Sequence, residues 1–322
     1  MRAAYYEKNG STDVLHVGEV DTPQPGPGEV RVKLKTSGVN PSDVKTRAGT
    51  ARKIAFPRVI PHSDGAGEID AVGAGVPNSR IGERVWTWNG AWKRPFGTAA
   101  EYIVLPEIQA VTLPDVVSFE AGACLGIPAL TAWHAIDIAG TKSGMTLLIA
   151  GGAGAVAHYA IQFAKARGAV VLTTVSSPEK AKLALDAGAD VAIDRKTEDV
   201  GARVMELTKS GVDAVIELDL TANAALLPQT LRPRGTLVVY GTGPQVQFPG
   251  SFCLVNNITV KFLLVYELTA DERARAIADI TRMLESGGLK HNVAQTYPLG
   301  EIVAAHQAVE SGKVAGNVVM TI

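Results

Sequence analysis

The residues best spaced for chemistry are small ones. Leu147-Leu148-Ile149-Ala150-Gly151-Gly152-Ala153-Gly154-Ala155-Val156-Ala157 leads from an apolar strand into a helix whose Val156, Ala160 and Phe163 share a face. Gly152, Gly154 and Ala157 fit the pattern G-x-G-x-x-G/A, in the strand–turn–helix setting that a dinucleotide-binding turn requires. Gly152 is expected to allow the tight turn, and Gly154 to let a pyrophosphate approach the backbone. Ala157 is small enough for close helix–strand packing. The N–H groups over Gly152, Ala153, Gly154, Ala155 and Val156 then receive the phosphates at the helix start.

The end of the second strand selects the dinucleotide. An NAD site has Asp or Glu about 20 residues after the glycines, binding the ribose hydroxyls. Here that strand ends Thr173-Thr174-Val175-Ser176-Ser177, with no carboxylate. A 2′-phosphate meets hydroxyls there instead of a repelling charge. Ser177 reads as an N-cap with Pro178 at the first helical position. Lys180 in that first turn, and Arg195 after Val191-Ala192-Ile193, stand where they can pair with the phosphate or remain solvated surface charges. The missing acid favours NADP(H) over NAD(H).

These residues need a parallel sheet to hold them. From about residue 145 to 260, strands at Thr146–Ala150, Val170–Val175, Ala214–Leu218 and Thr236–Tyr240 alternate with helices at Gly154–Arg167, Pro178–Ala187, Val200–Thr208 and Ala222–Leu231. Such alternation implies helices on both faces of the sheet. Before it, Val30-Arg31-Val32-Lys33-Leu34-Lys35 has the period of a half-buried strand. Short apolar stretches punctuated by Gly and Pro follow, which suggests a barrel-like β domain. A helix over Asp271–Ser286, a strand near Val293, a helix over Gly300–Ser311 and a strand over Asn317–Ile322 close the chain.

Composition narrows the class. The 322 residues suggest two domains, or one large one. Lys and Arg number 31 against 32 Asp and Glu, for a net charge of -1, which gives no support to a nucleic-acid binder or a membrane-surface protein. No apolar run reaches signal-peptide or membrane-spanning length, so a cytoplasmic location is the default expectation. Cys124 and Cys253 are the only cysteines, which excludes a disulfide framework and a Cys-rich zinc site. Both read as free, buried and inert thiols.

The ordered motifs of the chain resemble the medium-chain dehydrogenase/reductase superfamily, and within it the zinc-free NADPH:quinone oxidoreductase branch that includes zeta-crystallin. The residues that carry the resemblance are Gly38-Val39-Asn40-Pro41-Ser42-Asp43, Ile60-Pro61-His62-Ser63-Asp64-Gly65-Ala66-Gly67 and Leu130-Thr131-Ala132-Trp133. Pro298-Leu299, Ala304-Ala305-His306 and Gly316-Asn317-Val318-Val319 continue it at the C-terminal end. The resemblance implies an α/β protein: a GroES-like β-barrel catalytic domain over 1–122 and 267–322, and a Rossmann doubly wound cofactor domain over 123–266, with the active site in the cleft between them. Zinc-dependent relatives have a cysteine at the place of Asn40, a histidine at that of Ser63 and a third ligand near Ile127. None is a metal ligand here, and the four-cysteine lobe expected around residues 85–110 is absent. No metal is therefore expected.

By family position, Asn40 can hydrogen-bond the nicotinamide or the acceptor oxygen, or serve only as the turn residue before Pro41. Asp43 can anchor the nicotinamide ribose or a proton-relaying water, or be a capping carboxylate. Lys45 stands near where relatives have a tyrosine, facing either a reduced oxygen or solvent. Thr131, Tyr240 and Gly241, and the backbone of Phe262, Leu263 and Leu264, are the further cofactor contacts the resemblance implies. Leu263 and Leu264 also read as plain core. Asn317 replaces a lysine often seen there. Trp86, Trp88 and Trp92 line an aromatic acceptor pocket or pack between the domains. The activity implied is reduction of a quinone by direct hydride transfer. The alternatives are enone or alkene reduction on the same fold, or a non-catalytic NADPH-binding role of crystallin or sensor type. The family commonly pairs cofactor domains through the last strand, so Ile258–Val265 is the expected edge of a homodimer.

Overall fold

Alternating side chains explain the strand Glu29–Val39. Val30, Val32 and Leu34 are buried while Lys33 is exposed, and the last four residues are all buried. Tyr102–Pro106 pairs with its first half and Asn317–Thr321 with its last residues, both antiparallel. Asp64–Val72 pairs along most of its length, with Gly38 opposite Asp64. Arg84–Thr87 and Ala110–Thr112 extend the sheet on one side, and Val293–Pro298 on the other. The barrel-like β domain expected from the sequence is thus a seven-stranded, mostly antiparallel sheet. Its sides bury Val30, Val32, Ile69, Val85 and Ile103 in one cluster, and Tyr6, Ile60, Ile302 and Met320 in another.

The second sheet is all parallel. Its strands are β1 (Thr146–Ile149), β2 (Val170–Val175), β3 (Val191–Asp194), β4 (Val212–Glu217), β5 (Leu231–Val239) and β6 (Thr259–Phe262), in the order β3-β2-β1-β4-β5-β6. That is the Rossmann order, and it reverses between β1 and β4, where ligands of such sheets bind. The helix expected over Ala222–Leu231 is instead three short helical pieces, Leu220–Asn223, Ala224–Leu226 and Leu227–Thr230. Pro228 lacks the N–H that a continuous helix needs there.

The computed structural model describes residues 1–322 and divides into two units: Met1–Pro128 with Ile277–Ile322, and Ala129–Ala276. Both boundaries fall later than residues 122 and 267, where the sequence suggested them. At the first boundary the chain passes through the short helix Phe119–Gly122, a turn at Ala123-Cys124 and a π-helical stretch over Leu125–Ala129 into the helix Leu130–Ile138. The start of the helix Ala270–Glu285 is held by Arg275 on Asp137 (3.1 Å) and by Arg273 on the Val265 carbonyl (3.1 Å), so it belongs to the second unit. No helix is long and apolar enough to cross a membrane.

One glycine of the first unit has no room for a side chain. A Cβ on Gly97 would lie 2.2, 2.4 and 2.7 Å from the carbonyl oxygens of His62, Pro61 and Ile60. Backbone cannot yield as a side chain can. Gly97→Ala should therefore cost about 2–4 kcal/mol, read as a lower urea midpoint with an unchanged m-value. A midpoint equal to wild type would refute the packing described.

Candidate functional site

The glycine turn hangs between β1 and the helix Ala155–Ala166. Gly151 has φ +70° and is the left-handed residue of the turn. Gly152 is required for a different reason. A Cβ there would meet Thr173 Oγ1 at 2.3 Å, where the turn crosses β2. Gly154 is the N-cap, and a Cβ on it would approach only the Gly151 carbonyl, at 3.1 Å. The N–H groups of Ala155 and Val156 thus begin the helix with no capping side chain in front of them, and the small residues leave the approach open. Ala157 is buried against the sheet, as expected. The observed turn suits a diphosphate.

The next turn carries hydroxyls and a base. Ser177 Oγ accepts from the Lys180 N–H at 3.3 Å, the N-cap expected of it. Lys180 Nζ lies 3.3 Å from Ser176 Oγ, so the structure brings these two side chains together. Arg195 is exposed at the end of β3 and lines a cavity with Thr174, Glu217 and Asn223. Glu217, for which the sequence offered no role, is buried at the end of β4. It accepts from the Asp219 N–H (2.6 Å) and from Asn223 Nδ2 (2.9 Å). Burial raises its carboxyl above the ordinary range.

Asn40 sits where the strand Glu29–Val39 meets the helix Pro41–Ala48. The Asp43 carboxylate reaches back to the Asn40 N–H at 2.8 Å, which satisfies a donor at the helix start. The Asn40 side chain also reaches Asp64, its Nδ2 donating to Asp64 Oδ2 at 2.8 Å. Cross-strand register makes this possible, since Gly38 and Asp64 are opposite. Behind Asp64 a buried line of polar groups continues. Thr98 Oγ1 donates to the Asp64 carbonyl (2.5 Å) and contacts Ser37 Oγ (2.8 Å). Ser37 Oγ meets His62 Nδ1 (2.9 Å), and His62 Nε2 meets His306 Nε2 (3.0 Å). His62 has φ +76°, a costly position for a residue with a Cβ. Ser63, next in sequence, and Ile127, whose N–H lies beside the Asp64 carboxyl, complete the neighbourhood of the absent zinc ligands.

Known proteins share the fold. Residues 26–115 match the family "Alcohol dehydrogenase GroES-like domain", and residues 155–282 match "Zinc-binding dehydrogenase". A quinone oxidoreductase of Pseudomonas aeruginosa is 32% identical over 97% of this chain and 96% of its own. The chain belongs to the quinone oxidoreductases of the medium-chain dehydrogenase/reductase superfamily. A solved NAD-dependent alcohol dehydrogenase superposes with a TM-score of 0.92 at 29% identity, covering 100% of both chains. The Escherichia coli quinone oxidoreductase solved with NADPH gives 0.88 at 26% identity, again with 100% of both chains covered.

Other positions singled out in this quinone oxidoreductase sequence fall as follows. Lys45 is exposed on the helix that Asn40 starts. Thr131 is buried in the helix Leu130–Ile138. Tyr240 follows β5, and a Cβ on Gly241 would lie 1.9 Å from the Leu218 carbonyl. Leu264 is 54% exposed, not core, and Phe262 is 65% exposed. Leu263 is half-buried, and its N–H donates to the Val239 carbonyl (3.0 Å). Asn317 lies in the first unit's sheet, where its Nδ2 donates to the Asn292 carbonyl (3.1 Å). Cys124 is buried, but Cys253 is only half-buried. Trp86 is wholly buried in the sheet, while Trp92 stacks beneath Arg52, 4.2 Å from ring centre to guanidinium. Asp64 and His62 were missed as site residues, although both lie inside a quoted motif. The only local signal for Asp64 is a charge opening an apolar strand.

Burial gives these groups opposite pH signatures. It holds His62 far below its usual range, helped by His306, and lowers His306 to about 3, helped by the Arg47 charge. The unfolded chain therefore takes up these protons first, and stability falls as pH drops from about 6.5 towards 3. Burial also raises Asp43 to about 7, against the Asn40 hydrogen bonds and the Arg52 charge. Unfolded Asp loses its proton near pH 3.8, so the Asp43 contribution weakens as pH rises from there to about 7. Urea midpoints plotted against pH should show a less positive slope on the acid side in His306→Gln and a more positive slope between pH 4 and 7 in Asp43→Asn. Wild-type slopes in both variants would refute the assignments.

Proposed function

We propose that this chain reduces quinones with NADPH and without zinc. The observation that carries the cofactor choice is the Ser176–Lys180 pair, standing where an NAD site has a carboxylate. On this reading the N–H groups over Gly152, Ala153, Gly154, Ala155 and Val156 hold the diphosphate, and Ser176, Lys180 and Arg195 surround the 2′-phosphate. Thr131, Tyr240, Gly241, Phe262, Leu263, Leu264 and Asn317 remain the further cofactor contacts, and the unit Ala129–Ala276 is the cofactor domain. The Pseudomonas and Escherichia relatives, both described as quinone oxidoreductases, support the acceptor class. An amide, a hydroxyl and an isoleucine at Asn40, Ser63 and Ile127 support zinc independence, because zinc sites are built from Cys, His, Asp and Glu.

When bound, NADPH supplies a hydride, and a quinone takes that hydride and one proton to become a hydroquinone. The protein binds and orients rather than activating through a Lewis acid. Asn40 holds its amide at a fixed place at the head of the helix Pro41–Ala48. Asp43, near neutrality in its titration, can hold or pass a proton beside it. Lys45, exposed one turn on, offers a positive charge to a reduced oxygen.

The test is steady-state oxidation of NADPH and NADH with simple quinones and enones. NADPH should be used at far lower KM than NADH. Lys180→Ala should raise the NADPH KM by roughly 10- to 100-fold, the worth of a charged hydrogen bond, and leave the NADH KM unchanged. Asn40→Ala should lower kcat without that change in KM. Equal use of both cofactors would defeat the NADPH assignment, and turnover of enones but no quinone would replace the acceptor class.

The functional unit on this reading is a homodimer formed through β6. The strand is a sheet edge with Phe262 exposed, and the helix Gly250–Val255 beside it leaves Leu254 80% and Val255 77% exposed. An open edge with an apolar border favours pairing with a second copy. Light scattering should give twice the chain mass for the wild type and the single mass for Val260→Pro. A wild type of single mass would end the proposal.

A further inference from the structure

Hydrogen bonds have a direction, and the buried line behind Asp64 admits only one. Thr98 Oγ1 lies 2.5 Å from the Asp64 carbonyl oxygen. Two oxygens this close share a hydrogen, and a carbonyl has none to give, so the Thr98 hydroxyl donates. Its single hydrogen is then spent. Ser37 Oγ, 2.8 Å from Thr98 Oγ1, must therefore donate to it. The Ser37 hydrogen is spent in turn. His62 Nδ1, 2.9 Å from Ser37 Oγ, must then carry a hydrogen and donate it. A neutral imidazole with its hydrogen on Nδ1 has a bare Nε2. His306 Nε2 faces that atom at 3.0 Å, so it supplies the hydrogen between the rings.

The far end of the line agrees. His306 Nδ1 is left bare, and it is buried without a partner. So are Nε and Nη1 of Arg47, a wholly buried guanidinium from the helix Pro41–Ala48 whose charge acts on the His306 ring. A lone pair on that ring suits a neighbouring cation, whereas an N–H would add one more buried donor without an acceptor. The alternative, a charged His62, would place a second cation in this core. The His62 ring touches Ser37 and His306, and Glu310, the carboxylate here, is already paired with Arg47. His62 also holds a strained backbone, with φ +76°, to bring its ring into the line. We propose that the two histidines are single, opposite tautomers, His62 with its hydrogen on Nδ1 and His306 with its hydrogen on Nε2, and that the one-way line they complete fixes the Asp64 peptide and, through the Asp64 carboxyl, the Asn40 amide. His62 and Thr98 are then positioning residues, acting on Asn40 through the Asp64 contact of 2.8 Å. Their effect on turnover rests on the quinone-reductase reading, whereas the tautomers do not.

The tautomers are read from long-range proton–nitrogen correlation spectra of protein carrying nitrogen-15 histidine, taken near neutral pH. The two rings are assigned by their loss in His306→Gln and His62→Gly, the second of which keeps a residue suited to the positive φ. His62 should show a hydrogen on Nδ1 alone, and His306 on Nε2 alone. Reversed tautomers, a mixture, or a doubly protonated His62 overturns the proposal. This measurement needs no turnover, so it stands even if no quinone is reduced and the functional reading fails. In the active enzyme, Thr98→Val should lower kcat about fivefold with the NADPH KM little changed. Thr98→Ser keeps a hydroxyl that can accept from Ser37 and donate to Asp64, and it should recover most of that loss. A Val variant with wild-type kcat, or a Ser variant as slow as the Val variant, overturns the positioning role. If the Val variant does not fold, His62→Gly takes its place: a lowered kcat at unchanged KM is expected, and a wild-type kcat overturns the role.

Discussion

A buried polar line runs through the first unit, from His306 through His62, Ser37 and Thr98 to the Asp64 backbone, and from the Asp64 carboxyl to Asn40. Buried polar groups are tolerated only when paired, so each member constrains the next. The strands Glu29–Val39 and Asp64–Val72 must keep their register for the line to close. The helix Ile302–Glu310 must also deliver His306 to His62. The strain accepted at His62, with its positive φ, is the local cost of that closure. The head of the helix Pro41–Ala48 inherits its position from it.

The second unit relies on a different constraint, the absence of side chains. Between β1 and its helix, Gly151 supplies the left-handed turn, Gly152 yields space to Thr173, and Gly154 leaves the helix start uncapped. Opposite them Ser176 and Lys180 replace a carboxylate. One unit is thus organised by polar groups that must find partners, and the other by backbone that must be left bare for a ligand.

The second unit was readable in the sequence because its signals are local. Strand–helix alternation, the glycine spacing and the Ser177–Pro178 cap each involve neighbours along the chain. Even so, the left-handed residue Gly151 was not marked, since a motif gives spacing and not dihedral angles. Most of the first unit's site was hidden. Asp64 acquires its role from cross-strand register with Gly38, and His62 from a helix 244 residues away. Neither relation leaves a periodic trace. Leu264 looked like core because its neighbours are apolar, and hydropathy does not distinguish a sheet interior from an open edge.

The strand Asn317–Thr321 completes the sheet that begins with Glu29–Val39, with Val318 opposite Val39. The unit Ala129–Ala276 is continuous, whereas the other is split around it. The continuous unit therefore has all its strands before the split one does, as the chain leaves the ribosome. Until residues 317–321 emerge, one side of Thr36–Val39 lacks its strand partner. Closing that gap joins residues far apart in sequence, a slow kind of contact that leaves strand edges open to wrong partners meanwhile. Assembly order, and not only final stability, then decides how much of this protein reaches its native form.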